Sequence, residues 1–465
     1  MDLRTFFCRD GPSFLQCGGW WHGDTLARLE RVAEMSGDYE IRRFSPASKD
    51  EPGYGQSVAW TRAVTFGFHD ARRSDEEVDR ILAFNRIDQR VYTGVYQKAA
   101  VAEHSLPADV PVATFGTFRK TLNIGFGRTL EAQLVTAVTV RTSHRRRGLL
   151  RAMMGQDLAL AREEGLAMAA LTASEASIYG RFGFGVATME QSIKVDTSAR
   201  FALNHAAVGT VEVADPKVLL ELAPRIFDRL HALTPGSVGR QEFYRQFVSG
   251  SISREGGDDP KVKVALHYGT DGTVDGYVSY KFGGWSETPA TMEIVDLVAA
   301  SNDAYLELWQ YLGAIDLVEQ VTWAEAPVDD PLRWALADAR CVSASEPRDM
   351  LWLRILDAKR ALEARHYPAD GRLVLKVSDP LGFAEGTFAL EVDGGTAVVS
   401  DADDAAGQVP DLELDIAALS SIYLGGVSPV TLAAAGVISE GHAGAAFRAA
   451  RMFAVERPAH CLTHF

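Results

Sequence analysis

Residues 138–151 read Val138-Thr-Val-Arg-Thr-Ser-His-Arg-Arg-Arg-Gly-Leu-Leu-Arg151, and this stretch decides the fold. It predicts a buried strand that ends at Val140, a tight turn, and a helix with an apolar face that begins near Arg147. Three consecutive arginines, residues 145–147, fall at the N-terminus of that helix, where the helix dipole already presents positive charge. Each charge there is unfavourable by roughly a few tenths of a kcal/mol unless an anion binds beside it.

Two interpretations of this basic turn follow. In the first, unpaired backbone N–H groups point at a bound anion, Gly148 allows close approach, and a pyrophosphate satisfies both requirements. In the second, the arginines form a solvated turn that holds no ligand. The residues of the turn by themselves leave the two interpretations equally open.

The segments on either side of the turn predict a mixed α/β domain that begins at about Tyr39. Strands are expected at residues 91–96, 112–118 and 133–140, where β-branched and aromatic residues cluster. The helix ends at Gly165 and a buried strand follows over residues 166–171. The apolar residues near one face of that helix are Leu149, Leu150, Met153, Met154 and Leu158.

The next part of the chain, residues 201–344, repeats this order of elements. Its strand, turn and helix at residues 293–310 parallel those at 137–154, but the second turn contains neither glycine nor arginine. We therefore expect a degenerate duplicate of the first domain. The predicted elements are a hairpin (264–267 and 277–282, turning at Asp271 and Gly272), a strand (292–298), a helix (303–312) and a strand (318–323).

A third unit starts at about Met350, and an extension of residues 1–38 precedes the first domain. The extension becomes amphipathic towards its end, as expected for a helix that packs on the body. The polar junctions near 196–200 and 343–350 are short, which favours packed domains over flexible linkers. The third unit is predicted to contain strands at 373–377, 387–392 and 396–399, an acidic loop at 401–404, and helices at 416–423 and 431–438.

Composition excludes some classes of protein. The 465 residues carry a formal net charge of -15, so the chain lacks the basic footprint that nucleic-acid binding requires, whereas an amine-bearing partner is compatible. The four cysteines form no CxxC pair, and His460 and His464 beside Cys461 have no second cluster to complete a zinc site. No apolar run is long enough to span a membrane. We expect a cytoplasmic protein with reduced thiols and without a bound metal.

Residues 138–151 resemble the pyrophosphate loop of the GNAT N-acetyltransferase superfamily. That loop follows a Val-x-Val strand with the pattern Arg/Gln-x-x-Gly-x-Gly/Ala, which Arg145 and Gly148 match and Leu150 does not. The form His-Arg-Arg-Arg-Gly-Leu-Leu-Arg-Ala resembles instead the Eis (enhanced intracellular survival) branch. Further blocks that resemble this branch are residues 171–185, 351–355 and 361–365.

This resemblance implies an α/β (mixed α+β) architecture of tandem GNAT-type domains followed by a sterol-carrier-protein-like domain. The expected limits are 1–38 for the extension, 39–198 for the catalytic GNAT domain, 199–348 for the degenerate GNAT-like domain and 349–465 for the sterol-carrier-like domain. The tail of the last domain is expected to reach the active site. The resemblance also implies acetyl-CoA as co-substrate, an amine acceptor and a homohexamer.

The resemblance further assigns residues to the binding of acetyl-CoA. The backbone of Val138, Thr139 and Val140 is expected to pair with the pantetheine arm like an added strand, with the Val140 N–H polarising the thioester carbonyl. Ser174 and Glu175 match positions that border the cofactor. The backbone donors expected to hold the pyrophosphate belong to Arg146, Arg147, Gly148, Leu149, Leu150 and Arg151.

Two further positions match the acid and the base of the family. Tyr179 corresponds to the general acid, although a phenol of pKa about 10 protonates a thiolate of pKa about 8.5 only with help from its surroundings. Packing of this ring in an aromatic turn is the purely structural alternative. The C-terminal carboxylate, here of Phe465, corresponds to the general base, and burial has to raise its pKa from about 3.3–3.7 for that role. His464 is the second candidate for the base.

The sequence does not decide which of several amines is the acceptor. Members of the branch that acetylate aminoglycosides line the acceptor pocket with acidic side chains. This chain instead has His464 at the penultimate position and Phe68, close to Phe66, near another acidic position. An aminoglycoside, a polyamine and a lysine-like amine are all compatible with these residues. A competing class is a non-catalytic regulatory or scaffold protein that binds acetyl-CoA or lipid.

Overall fold

The computed structural model describes residues 35–99, 102–204, 206, 208–253, 256–286, 288–402 and 409–465. The extension up to residue 34 and the last two residues of the acidic loop at 401–404 lie outside this part of the chain. The described elements form three sheets with helices packed on them. None of the described helices combines the length and the apolar character needed to cross a membrane.

The first sheet contains the strands of the first domain and one strand from much later in the chain. Its strands are β1 (Tyr39–Phe44), β2 (Val91–Gln97), β3 (Ala113–Gly125), β4 (Arg128–Val140), β5 (Met168–Thr172), β6 (Gly185–Val186) and β15 (Leu351–Ile355). They lie in the order β1-β2-β3-β4-β5-β15-β6, and β4 and β5 are parallel whereas the other neighbours are antiparallel. The helices are α1 (Tyr54–Gly67), α2 (Asp75–Ile87), α3 (Leu149–Glu163) and α4 (Ala176–Tyr179).

The second sheet has the order β13-β7-β12-β11-β10-β9-β8, with the short strand β14 beside β7. Its strands are β7 (Met189–Asp196), β8 (Thr210–Ala214), β9 (Lys263–Tyr268), β10 (Val274–Phe282), β11 (Thr291–Ala299), β12 (Gln320–Pro327), β13 (Val342–Ala344) and β14 (Arg348–Asp349). The helices are α5 (Leu219–Leu233), α6 (Glu242–Val248), α7 (Asn302–Gly313) and α8 (Leu332–Ala335).

The third sheet has the order β18-β17-β16-β19-β20. Its strands are β16 (Gly371–Ser378), β17 (Gly386–Asp393), β18 (Thr396–Asp401), β19 (Leu412–Asp415) and β20 (Ser439–Glu440). The helices of this region are α9 (Ala358–Ala364), α10 (Ile416–Ile422), α11 (Pro429–Ala434) and α12 (Ala445–Met452). Short 3-10 turns lie at Met35–Asp38, Thr142–His144, Gly180–Phe182, Pro216–Val218 and Ala339–Cys341.

Two strands are exchanged between the first two sheets. Strand β7 lies between β13 and β12 of the second sheet, although residues 189–196 precede the expected junction at 198/199. Strand β15 lies between β5 and β6 of the first sheet, although it follows the expected junction at 348/349. The junctions expected from the sequence therefore do not coincide with sheet membership. Strand β7 thus ties the first domain to the second sheet, and β15 ties the start of the third domain to the first sheet, in both cases through backbone hydrogen bonds.

The elements predicted around residues 138–151 are confirmed. Helix α3 buries Leu149, Met153, Met154 and Leu158 against the first sheet, and Gly165 follows it in the left-handed conformation, with φ at 86°. The predicted hairpin is the β9–β10 pair, whose register shifts by one residue near Val274.

Helices α1 and α2 were not predicted from the sequence. Helix α2 begins with a capping box in which the Ser74 hydroxyl and the Glu77 carboxylate each accept a hydrogen bond from the other residue's backbone N–H. This cap is a local signal that apolar periodicity does not contain. The apolar residues of helix α1 do not gather on one face, and no side chain caps its start within the described residues. The sequence therefore gave neither a periodicity nor a capping pattern for this helix.

One apolar core joins the first and third domains. Phe118 and Leu122 of β3 pack in the same buried cluster as Leu353 of β15, Leu373 of β16 and Ile422 of α10. The third domain is consequently fixed on the first sheet rather than attached by a linker. This packing directs the end of the chain towards the first domain.

Candidate active site

Strands β4 and β5 diverge part of the way along their length. They pair only over residues 133–135 and 169–171, while β4 continues to Val140. Ala137 has a φ of 52° and lies in a bulge, where two residues of β4 oppose one residue of β3. Because a bulge bends its strand, the last residues of β4 turn away from β5 and a gap opens between the two strands.

The backbone of β4 turns hydrogen-bonding groups towards this gap. The Arg141 N–H donates to the Val112 carbonyl oxygen at 2.8 Å, on the side of β3. Since successive residues of a strand direct their N–H groups to opposite sides, the N–H groups of Val140 and Val138 face the gap. This strand edge can accept an extended ligand as an added strand, as predicted for residues 138–140.

The turn after β4 delivers a helix N-terminus to the mouth of the gap. Gly148 is the N-cap of α3 and has a φ of 78°, and Arg146 also has a positive φ of 64°. The first intrahelical bond runs from the Ala152 N–H to the Gly148 carbonyl, so the three preceding N–H groups point outwards. No side chain caps this helix among the described residues. Backbone donors without a side-chain cap can bind an anion.

Contacts of its side chains hold the basic turn in place. The Arg147 guanidinium donates to the Tyr39 hydroxyl at 2.6 Å and to the Ser143 carbonyl at 3.3 Å. Burial, together with Arg147 and Arg141, lowers the pKa of His144, which keeps this ring neutral near pH 7. The turn is therefore anchored to β1, and the exposed side chains before Arg147 surround the helix N-terminus with positive charge.

The second copy of this strand–helix unit shows the opposite arrangement at its helix. Strands β11 and β12 also pair only briefly, over residues 291–293 and 320–322, so a gap opens there too. However, the Ser301 hydroxyl caps α7 by accepting from the Ala304 N–H at 3.1 Å. The same hydroxyl donates to the buried Asp275 carboxylate at 2.7 Å. The second copy thus fills its anion position with its own groups, which supports the expectation of a degenerate site.

Two adjoining cavities enclose the predicted site. The larger, of about 1060 Å³, extends from the basic turn along the gap to Tyr179. The predicted residues that line it are Phe66, Phe68, Val138, Thr139, Val140, Arg146, Arg147, Gly148, Leu149, Leu150, Arg151, Ser174, Glu175 and Tyr179. The smaller, of about 360 Å³, is lined by His464 and Phe465 and shares Phe68, Val138, Ser174 and Tyr179 with the larger one. All the predicted site residues therefore meet in one connected space.

Tyr179 lies where the two cavities join. It ends α4, is 6% exposed, and its ring packs edge-on against Phe184 at 6.3 Å between centroids. Burial raises the pKa of the Tyr179 phenol above its ordinary value, and the nearby Glu175 carboxylate adds to this shift. The hydroxyl is therefore protonated throughout the neutral range. Phe66 and Phe68, which are 60% and 44% exposed, border the larger cavity from the end of α1.

The tail of the chain closes the smaller cavity. The Thr172 hydroxyl of β5 donates to a carboxylate oxygen of Phe465 at 2.7 Å. The Phe465 ring packs edge-on against Phe118 at 6.0 Å between centroids. Leu462 and Thr463 are buried. Residue 465 is thus held beside the gap between β4 and β5, within the same cavity as Tyr179.

Glu190 and Arg348 belong to this cavity, and sequence analysis did not identify them. They are paired residues of β7 and β14, and the Arg348 Nε donates to the Glu190 carboxylate at 2.7 Å. Burial acts to raise the pKa of Glu190, but the adjacent His464 and Arg348 hold it below its ordinary value. The His464 Nε2 lies 3.4 Å from Glu190 and 3.5 Å from Glu325. No local pattern marks Glu190, because only the exchanged strand brings it here.

His460 and Cys461 are buried in the tail, and each has its own surroundings. Burial lowers the pKa of His460 to about 4, so its ring is neutral. The thiol of the adjacent Cys461 contacts the Thr463 carbonyl oxygen at 3.5 Å. Within the described ranges, no three His, Cys, Asp or Glu side chains are placed to hold a metal ion together.

Comparison with protein families identifies all three domains. A family described as acetyltransferase (GNAT) domain matches residues 63–187, and a second family with the same description matches residues 236–355. A sterol carrier protein domain matches residues 358–462. The tandem GNAT architecture followed by a sterol-carrier-like domain is therefore present.

Similar proteins cover most of the chain. An uncharacterized N-acetyltransferase of Streptomyces griseus subsp. griseus is 35% identical over 435 residues, which cover 91% of this chain and 98% of that protein. The N-acetyltransferase Eis of Mycobacterium tuberculosis is 34% identical over 308 residues, covering 64% of this chain and 72% of that protein. The crystal structure of Eis1 from Mycobacterium abscessus matches with a TM-score of 0.73 and 26% identity, over 92% of this chain and all of that one.

The uncapped helix leads to a prediction for Gly148. In Gly148→Ala, the left-handed backbone costs roughly 1–2 kcal/mol and the turn shifts, so the affinity for coenzyme A, measured by calorimetry, should fall about tenfold. Gly272→Ala is the matched control, because Gly272 has a φ of 77° in the β9–β10 turn with open space around it. Equal affinity in both variants would contradict an anion site at α3.

Proposed function

This chain belongs to the Eis family of GNAT N-acetyltransferases, and from that membership we propose that it transfers the acetyl group of acetyl-CoA to a primary amine of a cationic acceptor. One observation carries the proposal. Tyr179 and Phe465 line a single cavity that opens directly into the cavity of the predicted cofactor residues. An acceptor in the smaller cavity can therefore meet a ligand in the larger one beside both groups.

Residues 138–151 have the properties that acetyl-CoA requires. The outward N–H groups at the start of α3 are donors for its pyrophosphate, and the edge of β4 is a donor set for its extended pantetheine arm. When bound, acetyl-CoA supplies the acetyl group as an activated thioester. The Val140 N–H faces the gap, where it can stabilise negative charge on a carbonyl oxygen.

Tyr179 is proposed as the general acid. Its hydroxyl is protonated in the neutral range because burial raises its pKa. The same shift makes full proton transfer to a thiolate less favourable, since the ordinary thiol pKa of about 8.5 is already lower than that of the phenol. Tyr179 therefore acts first as a hydrogen-bond donor to the leaving sulfur as its negative charge develops.

The carboxylate of Phe465 is proposed as the general base. Residue 465 is held by Thr172 and Phe118 beside the gap. His464, the second candidate, turns its Nε2 towards Glu190 and Glu325. This orientation favours the Phe465 carboxylate as the base and gives His464 a place in the wall of the acceptor cavity.

The lining of the smaller cavity supports a cationic acceptor. Glu190 is ionised at neutral pH, and its Oε2 lies 3.4 Å from the His464 Nε2. Asp349 lies in the same cavity. Among the described residues that line this cavity, Arg348 is the only arginine or lysine, so the cavity can stabilise an ammonium group of an acceptor whose second amine is the nucleophile.

The function is tested by the release of coenzyme A thiol from acetyl-CoA in the presence of a panel of amines. Polyamines, aminoglycosides and lysine peptides should support faster release than an uncharged aromatic amine, because only the former bring a second ammonium group to Glu190. Equal rates with charged and uncharged acceptors would reject the cationic class. Binding of acetyl-CoA without release by any amine would reject the proposed acceptor class altogether.

Tyr179→Phe tests the acid. The value of kcat should fall about 100-fold while the Kd of acetyl-CoA stays near that of the wild type, because only the proton donor is removed. Tyr92→Phe is the matched control, a buried tyrosine of the same sheet whose hydroxyl accepts from the Asn85 amide at 2.6 Å. In the wild type, kcat should hold on the alkaline side until the pH exceeds about 10, because the pKa of Tyr179 is raised. If Tyr179→Phe keeps the kcat of the wild type, the ring of Tyr179 only packs in the structure and does not act as the acid.

A one-residue extension tests the base. A glycine added after Phe465 moves the terminal carboxylate by about 3.8 Å, so kcat at pH 7 should fall at least about tenfold. His464→Asn, in contrast, should change the KM of the acceptor more than kcat. Both are measured by thiol release with untagged protein. If His464→Asn lowers kcat strongly and the added glycine does not, His464 is the base.

A further inference from the structure

The second GNAT-like domain provides most of the contacts that hold the tail of the chain. Residues 460–465 lie between this domain and the first sheet, and both make hydrogen bonds to them. The His460 N–H donates to the Pro235 carbonyl at 2.8 Å, and the Thr463 hydroxyl donates to the Val238 carbonyl at 2.8 Å. Helix α7 of this domain already has its own cap. The contacts to the tail therefore indicate a different role for the domain.

Tyr244 of α6 fixes the last turn of the tail. Its hydroxyl accepts from the His464 N–H at 2.8 Å and donates to the Leu462 carbonyl at 3.2 Å. One side-chain oxygen thus bridges the residues on either side of Thr463. This bridge sets the direction in which the chain leaves residue 464, and hence where residue 465 lies.

Gln241 makes the next contact along the tail. Its side-chain amide donates to the His464 carbonyl oxygen at 2.9 Å, directly before the final residue. Both Gln241 and Tyr244 are 5% exposed. The two side chains are therefore rigidly held by packing, as required of groups that position another residue.

The segment that carries these side chains is itself fixed to the first domain. Val238 bridges to Leu122 at the end of β3, and the Asp88 carboxylate accepts from the Glu242 N–H at 3.2 Å. The Arg240 guanidinium lies over the Tyr244 ring at 4.4 Å and pairs with the buried Asp296 at 2.7 Å. The positioning groups of the second domain therefore have a defined distance from the first sheet.

The gap of the second copy also receives part of the tail. A cavity of about 270 Å³ beside β11 and β12 is lined by Glu293, Trp323, Glu325 and His464. His464 and Arg348 line both this cavity and the acceptor cavity of the first domain. His464 thus lies between the cavities of the two domains, while Phe465 lines the cavity of the first.

We propose that the second GNAT-like domain acts as a clamp for the C-terminal tail, with Tyr244 and Gln241 as positioning residues for the carboxylate of Phe465. The consequence for catalysis rests on the proposed role of that carboxylate as the base. In this arrangement the degenerate domain keeps the strand gap of the GNAT fold, and His464 of the tail lines the cavity there. The base is then placed by one domain and used in the other.

The clamp is tested with Tyr244→Phe and Gln241→Leu in the full-length protein. Each variant removes hydrogen bonds to the tail and preserves most of the side-chain volume. Tyr280→Phe is the matched control, because Tyr280 is a buried tyrosine of the same domain whose hydroxyl bonds to the Tyr311 hydroxyl at 2.6 Å instead of the tail. The readouts are hydrogen–deuterium exchange of residues 460–465, kcat by thiol release, and the Kd of acetyl-CoA.

In Tyr244→Phe and Gln241→Leu, exchange at the tail amides should rise about tenfold and kcat at pH 7 should fall about tenfold. The Kd of acetyl-CoA should stay within about twofold of the wild type, because the basic turn is untouched. The deficit in kcat should narrow as the pH approaches the ordinary amine pKa of about 10, since the acceptor then needs less help from a base. A purely structural defect would not produce this recovery.

The clamp is overturned if Tyr244→Phe and Gln241→Leu show the same tail exchange and the same kcat as Tyr280→Phe at every pH. The glycine-extended protein separates this failure from failure of the proposed base. If extension abolishes activity but Tyr244→Phe leaves tail exchange unchanged, the base stands and the clamp is wrong. If tail exchange rises in Tyr244→Phe while the extended protein keeps full activity, the clamp stands and the base is wrong.

Discussion

The divergence of β4 from β5 is the constraint on which the site depends. Parallel strands normally pair along their whole length, and ending the ladder at Val135 leaves backbone groups of β4 without a strand partner. The bulge at Ala137 causes this, since its φ of 52° bends the strand away from its neighbour. The gap that results provides a strand edge, a path to the helix N-terminus at Gly148 and room for Tyr179. Without the bulge, β5 would satisfy the same N–H groups and no ligand could use them.

The exchange of strands determines what faces the gap. Strand β7 carries Glu190 into the second sheet and β14 places Arg348 opposite it, so the acceptor cavity has walls from two domains. Strand β15 binds the start of the third domain to β5, beside the gap. Because both connections are backbone ladders, the domains cannot move apart without breaking several hydrogen bonds at once. The two ladders therefore hold the walls of the cavity together.

The sequence predicts the local parts of this site and not the long-range ones. The strand, turn and helix of residues 138–151 follow from apolar periodicity and Gly148, and the structure contains them as predicted. The role of Tyr179 comes from a family resemblance, because nothing in its periodicity separates it from a packed aromatic residue. Glu190 could not be predicted, since its position depends on the pairing of β7 with β12 and β14 across the chain. Pairings between strands distant in sequence leave no trace in local composition.

The two copies of the GNAT unit show how one fold can either bind an anion or stabilise itself. Both copies retain the strand gap, and they differ at the start of the following helix. At α7, Ser301 caps the helix and Asp275 supplies the negative charge, and a side-chain cap of this kind contributes about 1 kcal/mol. At α3, Gly148 supplies no cap and the preceding arginines add positive charge. The first copy therefore lacks the stabilisation of a cap until an anion binds. A helix left uncapped beside a basic turn is thus destabilised in a way that ligand binding reverses, and this difference supports the proposal that the first copy binds the cofactor. The second copy, stable without a ligand, is suited to hold another part of the protein in place.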